Sequence, residues 1–379
     1  MILNMNILLL GGGLQGLACG ASFHEKGFTV DVVSNELDVR RSKFFRTVYS
    51  VAKPNNLSSL GRILEGVHYD VVFPMGDAEV SFLSKNKRQI EEDFDTLCLC
   101  PDYENLEIVE NKQNFMSFCE RNNVPHPKTI QLKEETLQDC ADVIGFPSII
   151  KPDYSVGARG ITKVHDIVEL QNKFPDVQNG YGSCSLQEFI DNDEYYYNVM
   201  LYRNCNGEFL GQTIMKILRK YPIGAGSSSY CVSVENDELL HICMDCLNKL
   251  DWVGMADFDV LQRLDNKEYK IIEINPRVPA SLRAALVSGV DFPEMIVLDA
   301  KGRTVPHYEY KPGKSLRYLG IDIMWLLKSP NRFNAKPCWL KFWDKDLYYQ
   351  DIYSNDVSTW WTWLIGGLAK IRSRGLRLR

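Results

Sequence analysis

The segment "MNILLLGGGLQGLACGASFHEKGFTVDVVS" constrains the fold more than any other. "NILLL" is a short, unbroken apolar run halted by glycines. Such runs mark strands buried on both faces, as in parallel sheets. "LQGLACGASFHEKG" reads as a helix stopped at Gly27, "FTVDVVS" as a second strand and "YDVVFPMG" as a later one. Strand, helix and strand in alternation imply a parallel sheet covered by helices. Gly11, Gly13 and Gly16 fit G-x-G-x-x-G, with Asp31 twenty residues after Gly11, which is the outline of a dinucleotide fingerprint. One function class is therefore an NAD(P)-dependent oxidoreductase. Against it, Asp31 sits inside "TVDVVS", whereas a ribose-binding acid belongs at a strand's end. The structural reading is a sharp strand-to-helix turn at Gly11–Gly13, with Gly16 letting the helix pack close to the sheet. The helix start at Gly13 then offers an anion site for a substrate carboxylate.

This first unit is expected to span residues 1–105. Residues 106–300 read differently. "NKQNFMSFCERNNVPHPKT" is a helix followed by a proline-punctuated turn. "FPSIIKPDYSVGARGITKV" reads as two strands around a glycine-containing loop. "CSLQEFID", "YYYNVMLYRN" and "EFLGQTIMKILRK" are further strands with turns between them, as in an antiparallel sheet. After the helix "ELLHICMDCLNKLDW", the runs "VGMADFDVLQR" and "EYKIIEINPRV" pair as strands around a polar turn. Residues 301–379 form a C-terminal aromatic and basic extension.

Composition removes several classes. A net charge of −6 argues against a nucleic-acid partner. No apolar run is long enough to span a bilayer, and the N-terminus lacks the basic start of a secretory leader. The eleven cysteines follow no repeating spacing, which suits reduced, mostly buried thiols in a cytoplasmic protein. Cys243 and Cys246 lack a second pair and sit at helical spacing, so a core helix is favoured over zinc.

Four features in the middle carry chemistry. Lys112 and Lys151 form a pair of strand-end lysines, each able to present a point charge to phosphate. "DYSVGARG" holds Ser155, Gly157, Arg159 and Gly160, small residues that let backbone N–H groups approach phosphate oxygens. In "LQEFIDNDE", Glu188, Phe189 and Ile190 suit a linker against a purine edge, with Glu194 reaching ribose hydroxyls. In "ADFDV" and "EINPR", Asp259, Glu273 and Asn275 are hard oxygen donors, and Glu273 and Asn275 share a strand face. Such donors suit magnesium. Each feature alone is common in proteins without any such site. Their order and strand context together describe a nucleoside triphosphate site with its metals.

With these residues in place the chain resembles the ATP-grasp carboxylate–amine ligases over about residues 1–300, most of all the short carbamoyl-phosphate-synthase-like type. The resemblance rests on Asn111–Lys112 before "VPHPKT", "FPSIIKPDYSVGARG", "LQEFIDNDEYYYNV" and "GMADFDV…IIEINPR". It implies a Rossmann-like pre-ATP-grasp domain, then two α+β lobes closing on ATP, the smaller over about 125–190. It implies that Lys112 and Lys151 contact ATP phosphates, that Glu188 to Ile190 hold adenine and Glu194 ribose. It further implies that Asp259, Glu273 and Asn275 hold magnesium, two ions as a rule, with Mn2+ as a substitute, and that Arg277 faces the reacting group. One departure is Asp259, where the family often has Glu or Gln; Asp257 lies on the same strand face and shares the candidacy. The implied reaction activates a small-molecule carboxylate as an acyl phosphate and couples it to an amine, with Arg277 and Lys151 as the catalytic charges. A non-catalytic ATP-binding module is the third function class.

Three segments lie outside this set. In "FPMGDAEV", Asp77 and Glu79 are candidates for a substrate amine, with Asp77 as helix N-cap the structural alternative. "ILRKYPIGAGSSSYCV" suggests a substrate-facing loop carrying Arg219, or a surface hairpin. The tail from Trp360 to Arg379 is apolar-aromatic and then basic, which suits peripheral membrane or protein contact, or a helix on the protein body. Oligomeric state leaves no signature in the sequence.

Overall fold

The computed structural model describes residues 5–356 and 358, apart from 156, 158, 193–194 and 224–225, and omits the side chains of 37 and 38. Among these residues the chain builds three sheets.

The first is parallel and five-stranded. Strand Asn6–Leu10 lies at its centre, flanked by Thr29–Val33 and Val71–Pro74, with Thr47–Tyr49 and Leu97–Cys98 at the edges. The strand order reverses at Asn6–Leu10, so ligands are expected outside the carboxyl ends of these strands. The glycine turn lies there, with Gly11 at φ +98° and Gly13 at φ +75°, a region costly for other residues. Gly16 has a different role from the one its spacing suggests. A Cβ there would make only ordinary contacts, 3.7 Å to Gly11 O, whereas one at Gly20 would come within 2.6 Å of Phe45. Gly20 is thus the position of close helix packing.

Asp31 is wholly buried and accepts from Arg46 Nε at 3.0 Å, Tyr69 OH at 2.6 Å and Thr47 N at 2.9 Å. It ties three elements together and has no access to a ribose. The Gly13 N–H donates to the Glu36 carboxylate, so the helix start carries an anion from within the chain. Both facts weigh against a dinucleotide site.

The second sheet is antiparallel, in the order Thr129–Gln131, Cys184–Glu188, Ser148–Pro152, Thr162–Val164. Helices Leu137–Ile144 and Ile167–Tyr181 cover it through Ile150, Val164, Leu170, Phe174 and Leu186. "CSLQEFID" therefore belongs to a different sheet from the two strand runs that follow it.

The third sheet has seven strands, in the order Tyr269–Asn275, Gly254–Gln262, Tyr196–Arg203, Phe209–Tyr221, Ser227–Ser233, Ser315–Arg317, Leu347–Tyr349. Side chains alternate between two cores. Val199, Leu201, Ala256 and Phe258 meet helices Lys112–Arg121 and Asp237–Lys249 on one side. Cys243 and Cys246 are buried there, as their spacing predicts. On the other side, Met200, Met215, Ile217 and Met255 join a core shared with the parallel sheet through helices Leu282–Val287 and Phe292–Ala300. Polar ties reinforce that junction: Ser22 Oγ donates to Asp291 at 2.7 Å, and Lys26 pairs with Glu294 at 2.6 Å. Residues 315–349 supply two strands of the large sheet and helix Leu319–Lys328. No helix among the described residues is long and apolar enough to cross a membrane.

Candidate functional site

The hairpin of Gly254–Gln262 and Tyr269–Asn275 sets the centre. Its register places Asp257 opposite Asn275 and Asp259 opposite Glu273. Residues opposite each other in an antiparallel pair share a face, so three carboxylates and an amide converge. Asn198, opposite Asp259 on the neighbouring strand, donates its amide to the Asp259 carboxylate. Asn275 Nδ2 donates to Asp257 Oδ2 at 3.4 Å, which turns Asn275 Oδ1 toward Arg277 Nη2, 3.4 Å away.

Packing these acids together shifts their protonation. Burial pushes Asp257 up to about 7 against the pull of Arg277. Burial, then the Glu273 and Asp257 charges, raises Asp259 well above the usual carboxylate range. Glu273 goes the other way: burial opposes its charge, but Lys151 and Lys112 outweigh it and hold the carboxylate ionised. Asp257 Oδ1 is buried without a hydrogen-bond partner among the described residues. An all-oxygen set with mutual repulsion and an unpaired buried oxygen fits a hard divalent cation. Among the described residues, no group of three or more His, Cys, Asp and Glu side chains forms a metal site by itself; Asn275 would complete this one.

Two lysines reach this centre from other elements. Lys151, on strand Ser148–Pro152, is 4% exposed and donates to Ile272 O at 3.1 Å. Burial lowers it to about 8, with Glu273 opposing the shift. Lys112 is not at a strand end. It opens helix Lys112–Arg121, which Asn111 caps by accepting from Asn114 N at 2.9 Å. Its Nζ lies 3.8 Å from Glu273 and donates to Ser155 O at 2.5 Å. The glycine loop is thereby tied to the site. Ser155 Oγ has no partner among the described residues, and Arg159 is exposed. Gly157 and Gly160 adopt φ +64° and +77°. A Cβ on Gly160 would come within 2.7 Å of Pro152 Cγ, so the loop closes on its own strand only with glycine there.

The linker leaves strand Cys184–Glu188. The Glu188 carboxylate accepts from Arg263 and from Lys128 N, the latter at 3.2 Å. Ile190 is buried, and Lys163 Nζ sits 3.4 Å from the Phe189 ring centroid. Glu194 lies outside the described residues.

Two substrate candidates are placed differently from their sequence readings. Asp77 is not an N-cap: Gly76 holds that position and Asp77 is the first residue of helix Asp77–Phe94. Its carboxylate accepts from Arg277 Nε at 2.8 Å, joining the parallel sheet's carboxyl end to the metal hairpin. Glu79 accepts from Asn55 Nδ2 at 3.2 Å beside the glycine turn. Arg219 is not on a substrate loop. It lies within strand Phe209–Tyr221, 3% exposed, and binds Asp322 through Nε at 2.7 Å and Nη2 at 3.0 Å. The signal missed in the sequence was "GIDIMW", where an acid sits inside an apolar helix and so requires a buried cation. Asn198, Lys128 and Arg263 also escaped notice, because only cross-strand register brings them to the site.

Residues 109–281 match the family model for the ATP-grasp domain, and the five-stranded parallel sheet precedes that match in the chain. Among curated relatives, a D-aspartate ligase of Enterococcus faecium is 26% identical over 245 residues, 59% of this chain and 57% of that protein. A carbamoyl phosphate synthase large chain of Methanocorpusculum labreanum is 25% identical over 179 residues, 45% of this chain and 17% of that protein. The chain thus spans less than two thirds of the length of either. Among solved structures, Campylobacter jejuni biotin carboxylase in its β-γ-ATP complex superposes with TM-score 0.69 at 18% identity, covering 82% of this chain and 74% of that one. Staphylococcus aureus N5-carboxyaminoimidazole synthetase complexed with ADP gives TM-score 0.69 at 16% identity, covering 88% of each.

Proposed function

We propose that this protein is an ATP- and magnesium-dependent ligase that couples a small-molecule carboxylate to an amine. The observation that carries the reading is the convergence of Lys112 and Lys151 on Glu273, opposite Asp259 and beside Asn275 and Arg277. The substrate carboxylate attacks the γ-phosphorus of ATP, giving an acyl phosphate and ADP. The amine then attacks the acyl carbon and expels phosphate, leaving an amide. Such chemistry rests on positioning and charge neutralisation.

Lys112 and Lys151 hold phosphate oxygens, and Ser155 with the Gly157–Gly160 loop covers them against water. Glu188, Phe189 and Ile190 hold adenine. Arg277, anchored by Asp77, meets negative charge as it builds on the reacting carboxyl or phosphoryl group. Asp259, Glu273 and Asn275, with Asp257 beside them, would hold magnesium, as two ions, with manganese able to substitute. The cation would supply charge neutralisation between the phosphates. Residues 1–105 and 106–300 are the corresponding divisions of the chain, and within the remaining segment, 301–379, residues 315–349 add two strands to the large sheet of the second division.

The test is ADP and phosphate release from ATP and magnesium, with amino acids, amino sugars and small carboxylates offered in pairs. Release that requires one pair, with an amide product by mass, supports the ligase. Glu273→Gln is expected to keep the fold and lose both turnover and Mn2+ binding. ATP binding without release for any pair would favour a non-catalytic ATP-binding module.

A further inference from the structure

The four most exposed large hydrophobic side chains among the described residues lie in one stretch: Leu327 at 63%, Phe333 at 86%, Leu340 at 72% and Trp343 at 88%. Single exposed apolar residues need no explanation, but such concentration does. The stretch runs from the C-terminal end of helix Leu319–Lys328, where Leu327 lies, toward strand Leu347–Tyr349. It is held from beneath. Arg219 Nη1 donates to Pro337 O at 3.0 Å and Arg317 Nη2 to Trp339 O at 3.0 Å. Trp339 Nε1 donates to Asp322 O at 3.1 Å, and Phe342 packs edge-on to Trp339 at 5.2 Å. The exposed side chains therefore project from an anchored support.

Charge identifies the partner. Between residues 327 and 345 stand Lys328, Arg332, Lys336, Lys341 and Lys345, against Asp344 alone, in a chain whose net charge is −6. Asp344 pairs with Lys341, leaving a local cationic excess around the apolar side chains. Aromatic and aliphatic side chains that enter the headgroup boundary, ringed by lysine and arginine, are the chemistry that binds a bilayer carrying anionic lipid. We infer that residues 327–345 form a membrane-docking surface for anionic lipid headgroups. The tail beyond residue 358, outside the described residues, continues the same composition with Trp360, Trp361 and Trp363 before Lys370, Arg372, Arg374, Arg377 and Arg379.

The experiment is co-sedimentation of the full chain with phosphatidylcholine vesicles, with and without phosphatidylglycerol. Binding is expected only with phosphatidylglycerol and is lost at high salt. The variant F333S/L340S/W343S, tail intact, should partition about tenfold more weakly or worse. Lys336→Glu and Lys345→Glu should each weaken binding by about fivefold or more. Retained ATP binding in these variants reports an intact fold and does not depend on vesicles, so failure here is separable from failure of the ligase reading. Three results would overturn the inference. They are equal binding to uncharged vesicles or to none, full binding by the triple variant, and a dimer in sedimentation velocity that the triple variant abolishes. The second would move the contact to the tail, and the third would show a second copy covering the patch.

Discussion

Replacing Arg219 with alanine separates a structural role from a substrate role. Arg219 and Asp322 have side chains 2% and 0% exposed. Asp322 also accepts from Arg317 Nε at 2.7 Å and Ser229 Oγ at 3.1 Å, so one carboxylate balances two buried guanidiniums. Burial already pulls the Arg219 ionisation down, with Asp322 resisting that shift. Removing one partner of a buried pair costs about 3–5 kcal/mol. Asp322→Ala belongs at the upper end, because it strands two cations. Arg219→Ala belongs at the lower end, because Asp322 keeps Arg317; the variant also loses the stack on Tyr230 at 4.2 Å and the bond to Pro337 O. The double variant should be less destabilised than the sum, by about 1–3 kcal/mol, since each single change exposes the other's unmet charge. Urea midpoints by circular dichroism measure these costs, and steady-state kinetics measure KM. The expected result is a large drop in midpoint for both variants, with KM for ATP and acceptor near wild type in the fraction that folds. An unchanged midpoint for Arg219→Ala, together with a rise of about tenfold in acceptor KM, would refute the reasoning and restore a substrate contact.

Other outcomes follow from the same geometry. Burial raises the Asp31 carboxyl, but hydrogen bonds from Arg46 and Tyr69 outweigh it and leave it below its ordinary value. Its stabilisation is therefore complete above about pH 4 and lost as pH falls through the folded value. Asp31→Asn should be less stable at neutral pH and show a shallower acid loss; identical slopes in acid titration would count against this. For Lys151, lowered to about 8, kcat/KM for ATP should fall as pH rises past that value. Lys151→Arg should remove this limb, since arginine stays charged; a wild-type profile flat to about pH 9.5 would contradict it. Gly160→Ala should raise KM for ATP and cost about 1–2 kcal/mol, because its Cβ meets Pro152 Cγ and Tyr181 at φ +77°. Gly157→Ala meets nothing within 4 Å and should be milder; equal effects in the two would argue against the close contact as the cause.

What could be read directly from the sequence was local. A continuous apolar run before glycines marks a buried parallel strand, because both faces of such a strand are covered. Two-residue alternation puts Glu273 and Asn275 on one face whatever lies opposite, and helical spacing buries Cys243 and Cys246. Tertiary structure decided every pairing between these distant polar and charged groups. Asp322 reaches Arg219 across 103 residues of sequence, Asp77 reaches Arg277 across 200, and Asn198 reaches Asp259 across 61. No periodicity encodes these, because a side chain's partner depends on which strands become neighbours. The same holds for residues 315–349: their short strands look peripheral in sequence, yet they extend the central sheet, since edge pairing and the buried Arg–Asp–Arg cluster form only once that sheet exists. Arg219 illustrates the division. Its neighbours in sequence, with glycines and serines following, suggest an open loop; strand register turns it inward, and burial then demands the carboxylate that meets it.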